Sequence, residues 1–293
     1  MGGNALAEFG AQRVSRKEFD EMVESVEMII PAPVHHIPYV REKDSFGDLD
    51  LIVSKNDLTP REFVAFVRDV LGVPYVKNGP VVSFLHAGKL QVDVIFMKDK
   101  DVEFAVNYFS YNDLGNLIGR IAHKMGLKFG HDGRWLIVRD GDYKLGEIRL
   151  TREFPEALEF LGYDYITFKC GFDTFDDMFF YASCNQYFSP SIYLLENRNH
   201  TARVRDRKRT SYMNFLRWTE KPRMRLEDFR WEKHPKSEWL PKIFERFPEA
   251  KEEYDLIQNR LAMSRASKEK FPTTEIMDLT GLQGKELGEF KGF

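Results

Sequence analysis

Cysteine is scarce: Cys170 and Cys184 are the only two in 293 residues. Two distant cysteines exclude a disulfide framework and a thiolate metal centre, and they read as reduced thiols in the core of a cytoplasmic protein. The seven histidines form no His-x-x-x-His and no Cys-His spacing: His35 and His36 are adjacent, and His123 falls on the polar side of its helix. A zinc site is not expected from that pattern. No apolar run approaches the roughly eighteen residues of a membrane span. The start, Met1-Gly2-Gly3-Asn4-Ala5-Leu6, lacks a secretory pattern and the Ser or Thr of a myristoylation signal, so no membrane partner is expected. There is no Gly-x-Ser-x-Gly and no P-loop, which removes support for hydrolase and ATPase chemistry. A net charge of −3 leaves no general cationic surface, so any nucleic-acid contact must come from a local patch. Internal repeats and low-complexity segments are absent as well.

What is present is enough apolar material, 43% of residues, for a real core. Ser15 caps a helix whose apolar stripe is Phe19, Met22, Val23, Val26 and Ile29 or Ile30, and which ends at Pro31 and Pro33. Thr59-Pro60-Arg61-Glu62 is a capping box with proline at the first helical position, followed by a stripe of Phe63, Phe66, Val67, Val70 and Leu71. Val81 to Leu85 and Leu90 to Phe96 read as a hairpin around Ala87-Gly88. Further on come a helix from Asn112 to Met125, with Leu114, Leu117, Ile118 and Ile121 inward, and a hairpin from Trp135 to Leu150. An aromatic, mixed segment (152–195) and a final helix near Ala250 to Met263 complete the reading.

Three acids stand out. Asp48 and Asp50 head the apolar run Leu49-Asp50-Leu51-Ile52-Val53, and Asp93 is alone in Gln91-Val92-Asp93-Val94-Ile95-Phe96. Side chains alternate along a strand, so Asp48 and Asp50 share a face while Leu49, Leu51 and Val53 enter the core. If the two strands are neighbours, three carboxylates converge at one rim of a sheet. That donor set suits magnesium, with manganese able to substitute, in two-metal phosphoryl transfer.

Arg13-Val14-Ser15-Arg16, the helix after it, Arg41 and Ser45-Phe46-Gly47-Asp48-Leu49-Asp50 resemble the leading helix and palm of the DNA polymerase β, or X, family. After Asp93 the resemblance continues through Tyr108-Phe109, Asn116, Arg120 and Lys124-Met125-Gly126, and then through Leu158-Glu159-Phe160-Leu161-Gly162. It implies an α+β fold: a polymerase β-like palm, a mixed sheet with flanking helices, followed by a mainly helical C-terminal region. The expected division is 1–100 for the leading helix and palm, 101–195 for nucleotide binding and 196–293 for a basic helical region. The resemblance also implies roles. Asp48, Asp50 and Asp93 would hold two magnesium ions and carry catalysis. Arg41 would neutralise the triphosphate, with Ser45, Gly47, Asn112 and Asp113 in the nucleotide site. Tyr108 and Phe109 would wall the sugar, Asn116 would touch the base, and Arg120 and Lys124 would lie against the template strand.

The chain departs from the family in places. The upstream Gly-Ser pair that cradles phosphate is Ile37-Pro38, the Thr-Gly-Ser after Tyr-Phe is Ser110-Tyr111-Asn112, and the amino-terminal lyase domain is not expected. Arg198 to Arg217 carries seven Lys or Arg against one acid, Asp206. Arg203, Arg205, Arg207 and Arg209 could follow a phosphate backbone while Tyr212, Phe215 or Trp218 stack on bases. The segment Asp278 to Gly288 is similar to a glycine turn and helix near the end of tRNA nucleotidyltransferases, although such a turn is more often a helix cap. The expected function is a nucleotidyltransferase, first a minimal DNA polymerase adding a deoxynucleotide to a 3′-hydroxyl with release of pyrophosphate. A template-independent RNA or tRNA 3′-end enzyme and a non-catalytic nucleic-acid-binding module are the alternatives.

Overall fold

The computed structural model describes residues 5–221, 228–270 and 273–290. Two units emerge from its contacts: residues 1–136 with 149–239, and 137–148 with 240–293.

The first unit opens with β1 (Val14–Ser15) and α1 (Arg16–Ile29). Ser15 and Glu18 form a reciprocal capping box, which satisfies the first free N–H groups of α1. After β2 (His35–His36) and β3 (Ser45–Phe46), β4 (Asp48–Ser54) carries the first two acids. Thr59 and Glu62 cap α2 (Pro60–Phe66), with proline in its first turn as expected. The helix continues as a π-helical segment, Val67–Leu71. Its wider turn carries Val70 out of the apolar stripe, and Val70 is 69% exposed where the sequence pattern put it in the core. Gly72 ends this segment at φ +61°, a left-handed position that glycine adopts without strain.

β5 (Tyr75–Asn78), β6 (Val81–His86) and β7 (Leu90–Met97) complete a mixed sheet of order β2-β4-β7-β6-β5. β4 and β7 are parallel; every other pair in this sheet is antiparallel. One face buries Leu49, Leu51, Val53, Val92, Val94 and Phe96 against Phe19, Val26, Phe63 and Val67 of α1 and the α2 segment. On the opposite face Ile52, Ile95 and Met97 pack with Val102 and Ala105 of α3 (Val102–Phe109).

α4 (Leu114–Lys124) buries Leu114, Leu117, Ile118 and Ile121 as its periodicity requires, then leads to β8 (Leu127–Gly130). β9 (Gly133–Asp140) and β10 (Tyr143–Thr151) join β8 in a second sheet of order β10-β9-β8. Five helices follow: α5 (Phe154–Phe160), α6 (Tyr165–Cys170), α7 (Phe175–Ser183), α8 (His200–Arg207) and α9 (Thr210–Glu220). Both cysteines are free and exposed, so the expectation of core thiols is corrected. Cys170 closes α6 and Cys184 follows α7, and surface helix ends leave short side chains in solvent.

The second unit combines the outer part of the β9–β10 hairpin with α10 (Leu240–Arg246), α11 (Glu249–Lys270), α12 (Thr273–Thr280) and α13 (Gly284–Phe290). Gly281, at φ +68°, donates its N–H to the Met277 carbonyl at 2.8 Å, which makes the glycine turn a C-cap of α12. No helix among the described residues is long and apolar enough to cross a membrane.

Candidate active site

The parallel register of β4 and β7 sets Asp50 opposite Asp93 and Asp48 opposite Gln91. With a side-chain period of two, residues 48, 50 and 52 share a face with 91, 93, 95 and 97. The hydrophobic end of that face lies under α3, and the acids occupy the other end. One oxygen from each of Asp48, Asp50 and Asp93 can be chosen so that all three lie within 4.8 Å of one another. Gln91, fully buried, donates to Asp93 Oδ1 at 2.8 Å and accepts from the Leu6 N–H at 3.2 Å, so that the oxygen of Asp93 is fixed in place.

Asp48 Oδ2 and Asp50 Oδ1 have neither solvent nor a hydrogen-bond partner. Burying ionised oxygens in that way is costly unless a cation joins them. Burial, and then the charges of Asp48 and Asp93, push Asp50 up to about 7. Burial first and Asp93 second push Asp48 above the ordinary carboxylate range. The all-oxygen donor set and the orphaned oxygens fit a hard divalent cation such as magnesium or manganese.

Asp48 and Asp50 line a cleft of about 1360 Å³ in the first unit; Asp93, 3% exposed, lies outside its lining. One rim is the segment Arg41 to Gly47. Arg13 donates to the Ser45 carbonyl at 2.7 Å and to Ser45 Oγ at 2.9 Å, and Arg16 donates to the carbonyls of Arg41, at 2.7 Å, and Lys43. Gly47 gives Arg13 room, because a Cβ there would meet Arg13 Nη1 at 3.1 Å. Arg41 itself is tied to Asp173 and the Cys170 carbonyl, while its backbone N–H donates to Phe172 O at 3.0 Å. Lys43, which no motif singles out, lines the cleft with its ammonium 4.5 Å over the Phe46 ring.

The opposite rim comes from α3, α4 and the α8–α9 corner. Tyr108 and Phe109 end α3 half-buried in the cleft wall, and Phe109 stacks on His131 with centroids 5.8 Å apart at 12°. Tyr111 and Asn112 are both left-handed, at φ +58° and +60°, in the turn that starts α4. Asp113 receives Arg209, and Asn116 accepts from Arg205 at 3.2 Å. Asp206, fully buried, binds Arg198 at 2.6 Å and Arg205 at 2.9 Å. This ion-pair cluster was invisible in the linear sequence, although the lone acid in a basic run was its signal.

Several expected nucleic-acid contacts are corrected. Arg120 is 9% exposed and donates through Nε and Nη2 to the Ile192 carbonyl at 3.0 and 2.8 Å, so it staples α4 to a neighbouring turn and has no free face for a template strand. Tyr212, Phe215 and Trp218 are at most 3% exposed. Tyr212 donates to the Tyr193 carbonyl at 2.6 Å, and Phe215 and Trp218 pack on Phe179; they are the core stripe of α9 and cannot stack on bases while folded. Of the four arginines expected to follow a phosphate backbone, Arg205 and Arg209 line the cleft, whereas Arg203, Arg207 and also Lys124 lie outside its lining. No protein-family model matches the chain, and no curated protein is significantly similar to it.

Proposed function

We propose that this protein is a metal-dependent nucleotidyltransferase that joins a nucleoside monophosphate, taken from a nucleoside triphosphate, to a 3′-hydroxyl. The observation that carries this reading is the trio of convergent carboxylates, with two orphaned buried oxygens, at a cleft rimmed by cations. The sequence resemblance to the polymerase β family supports the same chemistry. In the reaction the hydroxyl oxygen bonds to the α-phosphorus, the bond from that phosphorus to the α,β-bridging oxygen breaks, the hydroxyl proton passes to solvent water and pyrophosphate leaves. Two magnesium ions held by Asp48, Asp50 and Asp93 would supply charge neutralisation at the phosphates and acidify the attacking hydroxyl. The chain's own part is positioning and electrostatic balance. Arg41 places positive charge beside the triphosphate, Tyr108 and Phe109 wall the sugar, and Asn116 meets the base from α4.

A minimal DNA polymerase is the first form of this reading. The burial of Arg120 and of the α9 aromatics favours a second, template-independent addition to an RNA end, because these expected template contacts are held in the core. Extension of labelled primed and single-stranded DNA and RNA, with each deoxy- and ribonucleoside triphosphate in magnesium or manganese, separates them. Template-matched products indicate a polymerase and untemplated tails an end-adding enzyme. No transfer on any substrate contradicts the proposal and leaves a non-catalytic binding module, and equal transfer by Asp48→Ala/Asp50→Ala contradicts the role given to the acids.

A further inference from the structure

We propose that Lys43 is the triphosphate-gripping residue of this site and that its positive charge, in the same cleft as Asp48 and Asp50, opposes metal binding at the acid trio. The inference rests on the nucleotidyltransferase reading and assigns the phosphate contact within it. The segment Ile37-Pro38 has no side-chain hydroxyl, and proline has no N–H to offer. Its Pro38 carbonyl already accepts from Tyr111 N–H at 2.8 Å. Phosphate must therefore be held by other donors around the acids.

The arginines of this rim are engaged. Arg13 is bonded to Ser45, Arg16 to the carbonyls of Arg41 and Lys43, and Arg41 to Asp173 and the Cys170 carbonyl. Lys43 differs: its ammonium forms no ion pair with a described carboxylate and rests only on the Phe46 ring, at 4.5 Å. Phe46 is locked by stacking on Phe19, with centroids 3.8 Å apart at 12°. The Lys43 backbone is pinned at both ends, its N–H to Val40 O at 3.1 Å and its carbonyl to Arg16. The result is a rigid root bearing a compact point charge with three unused N–H donors, which suits phosphate oxygens. Burial lowers its pKa, while the charges of Asp48 and Asp50 act on it in the opposite sense. The same charge that attracts a triphosphate thus competes with metal for the acids.

This double role gives effects of opposite sign in one variant. Lys43→Met should weaken binding of magnesium plus an α,β-imido nucleoside triphosphate by about ten- to a hundredfold, the loss of a charge-assisted contact. It should strengthen binding of magnesium alone by roughly threefold or more, through removal of a like charge. Nucleoside monophosphate binding should be little changed, and Lys43→Arg should keep triphosphate affinity within a few fold. Titration calorimetry on the whole chain, with circular dichroism as the folding check and Lys43→Gln as a second neutral variant, reads all four. If the wild-type protein binds no triphosphate, the nucleotidyltransferase reading itself fails. If the wild type binds and both neutral variants match it, or if they lose magnesium and triphosphate binding together, the assignment of Lys43 is overturned while the reading of the acids stands.

Discussion

Removing one negative charge from the acid trio should stabilise the metal-free protein, and by an amount that depends on pH. Asp50 is raised from 3.8 to about 7 by burial and by Asp48 and Asp93. A raised acid binds its proton more tightly folded than unfolded, so its contribution is fully present below about 3.8 and is lost as pH climbs through 7. At roughly 1.36 kcal/mol per pH unit, a shift of about three units sets a penalty of about 4 kcal/mol on the ionised, folded form. Asp50→Asn keeps the shape and escapes that penalty. In chelator at pH 8 the variant should gain about 2–4 kcal/mol, or roughly 5–10 °C in Tm; near pH 4, where Asp50 is already neutral, it should gain nothing. Added magnesium at pH 8 should raise the Tm of the wild type and leave the variant nearly unmoved. Denaturant melts and thermal scans across pH 4 to 8 measure this directly. An equal gain at both ends of the range, or a loss at pH 8, would refute the electrostatic account of the trio.

Other expectations concern the walls of the cleft. Arg198→Met leaves the buried carboxylate of Asp206 with only the half-exposed Arg205 as a partner, and urea unfolding should show a loss of about 3 kcal/mol, with Asp206→Asn/Arg198→Met recovering part of it. Gly115→Ala would place a Cβ 2.4 Å from the Tyr108 carbonyl. It should therefore cost about 1–3 kcal/mol and raise the KM for nucleotide by displacing the end of α3; an unchanged KM would remove Tyr108 from the nucleotide wall. Arg205→Gln/Arg209→Gln should weaken polynucleotide binding and flatten its salt dependence more than Arg203→Gln/Arg207→Gln, because only the first pair lines the cleft. Equal effects would place the binding surface outside the cleft.

The parts legible in the sequence are those set by local rules. Ser15 with Glu18 and Thr59 with Glu62 announce helix starts through chemistry confined to four residues, and both boxes form. The alternation in Asp48-Leu49-Asp50-Leu51 announces a strand with a polar and an apolar face, and Asp93 needed only the parallel pairing of β4 and β7 to join it. What escaped depends on neighbours far along the chain. Tyr212, Phe215 and Trp218 sit at helical spacing within a basic run, and nothing local says that Phe179 and Tyr193 cover them. Arg120 lies on the helix bearing Leu117 and Ile121, but its burial required the Ile192 carbonyl, 72 residues away, as acceptor. Val70 was misread because a π turn changes the period from which its face is inferred. Lys43 carries no local mark, because what separates it from Arg13 and Arg41 is their bonding to Ser45 and Asp173, far along the chain.

The most direct test of nucleotidyl transfer follows the two ends of the triphosphate. The protein is incubated with magnesium and acceptor oligonucleotides alongside either α-phosphate-labelled or γ-phosphate-labelled nucleoside triphosphate, beside Asp93→Ala at matched circular dichroism. The proposal predicts that the α label enters the oligonucleotide, that the γ label leaves as pyrophosphate, and that Asp93→Ala does neither. Label from the γ position on the acceptor, release of inorganic phosphate alone, or full activity in Asp93→Ala would contradict it.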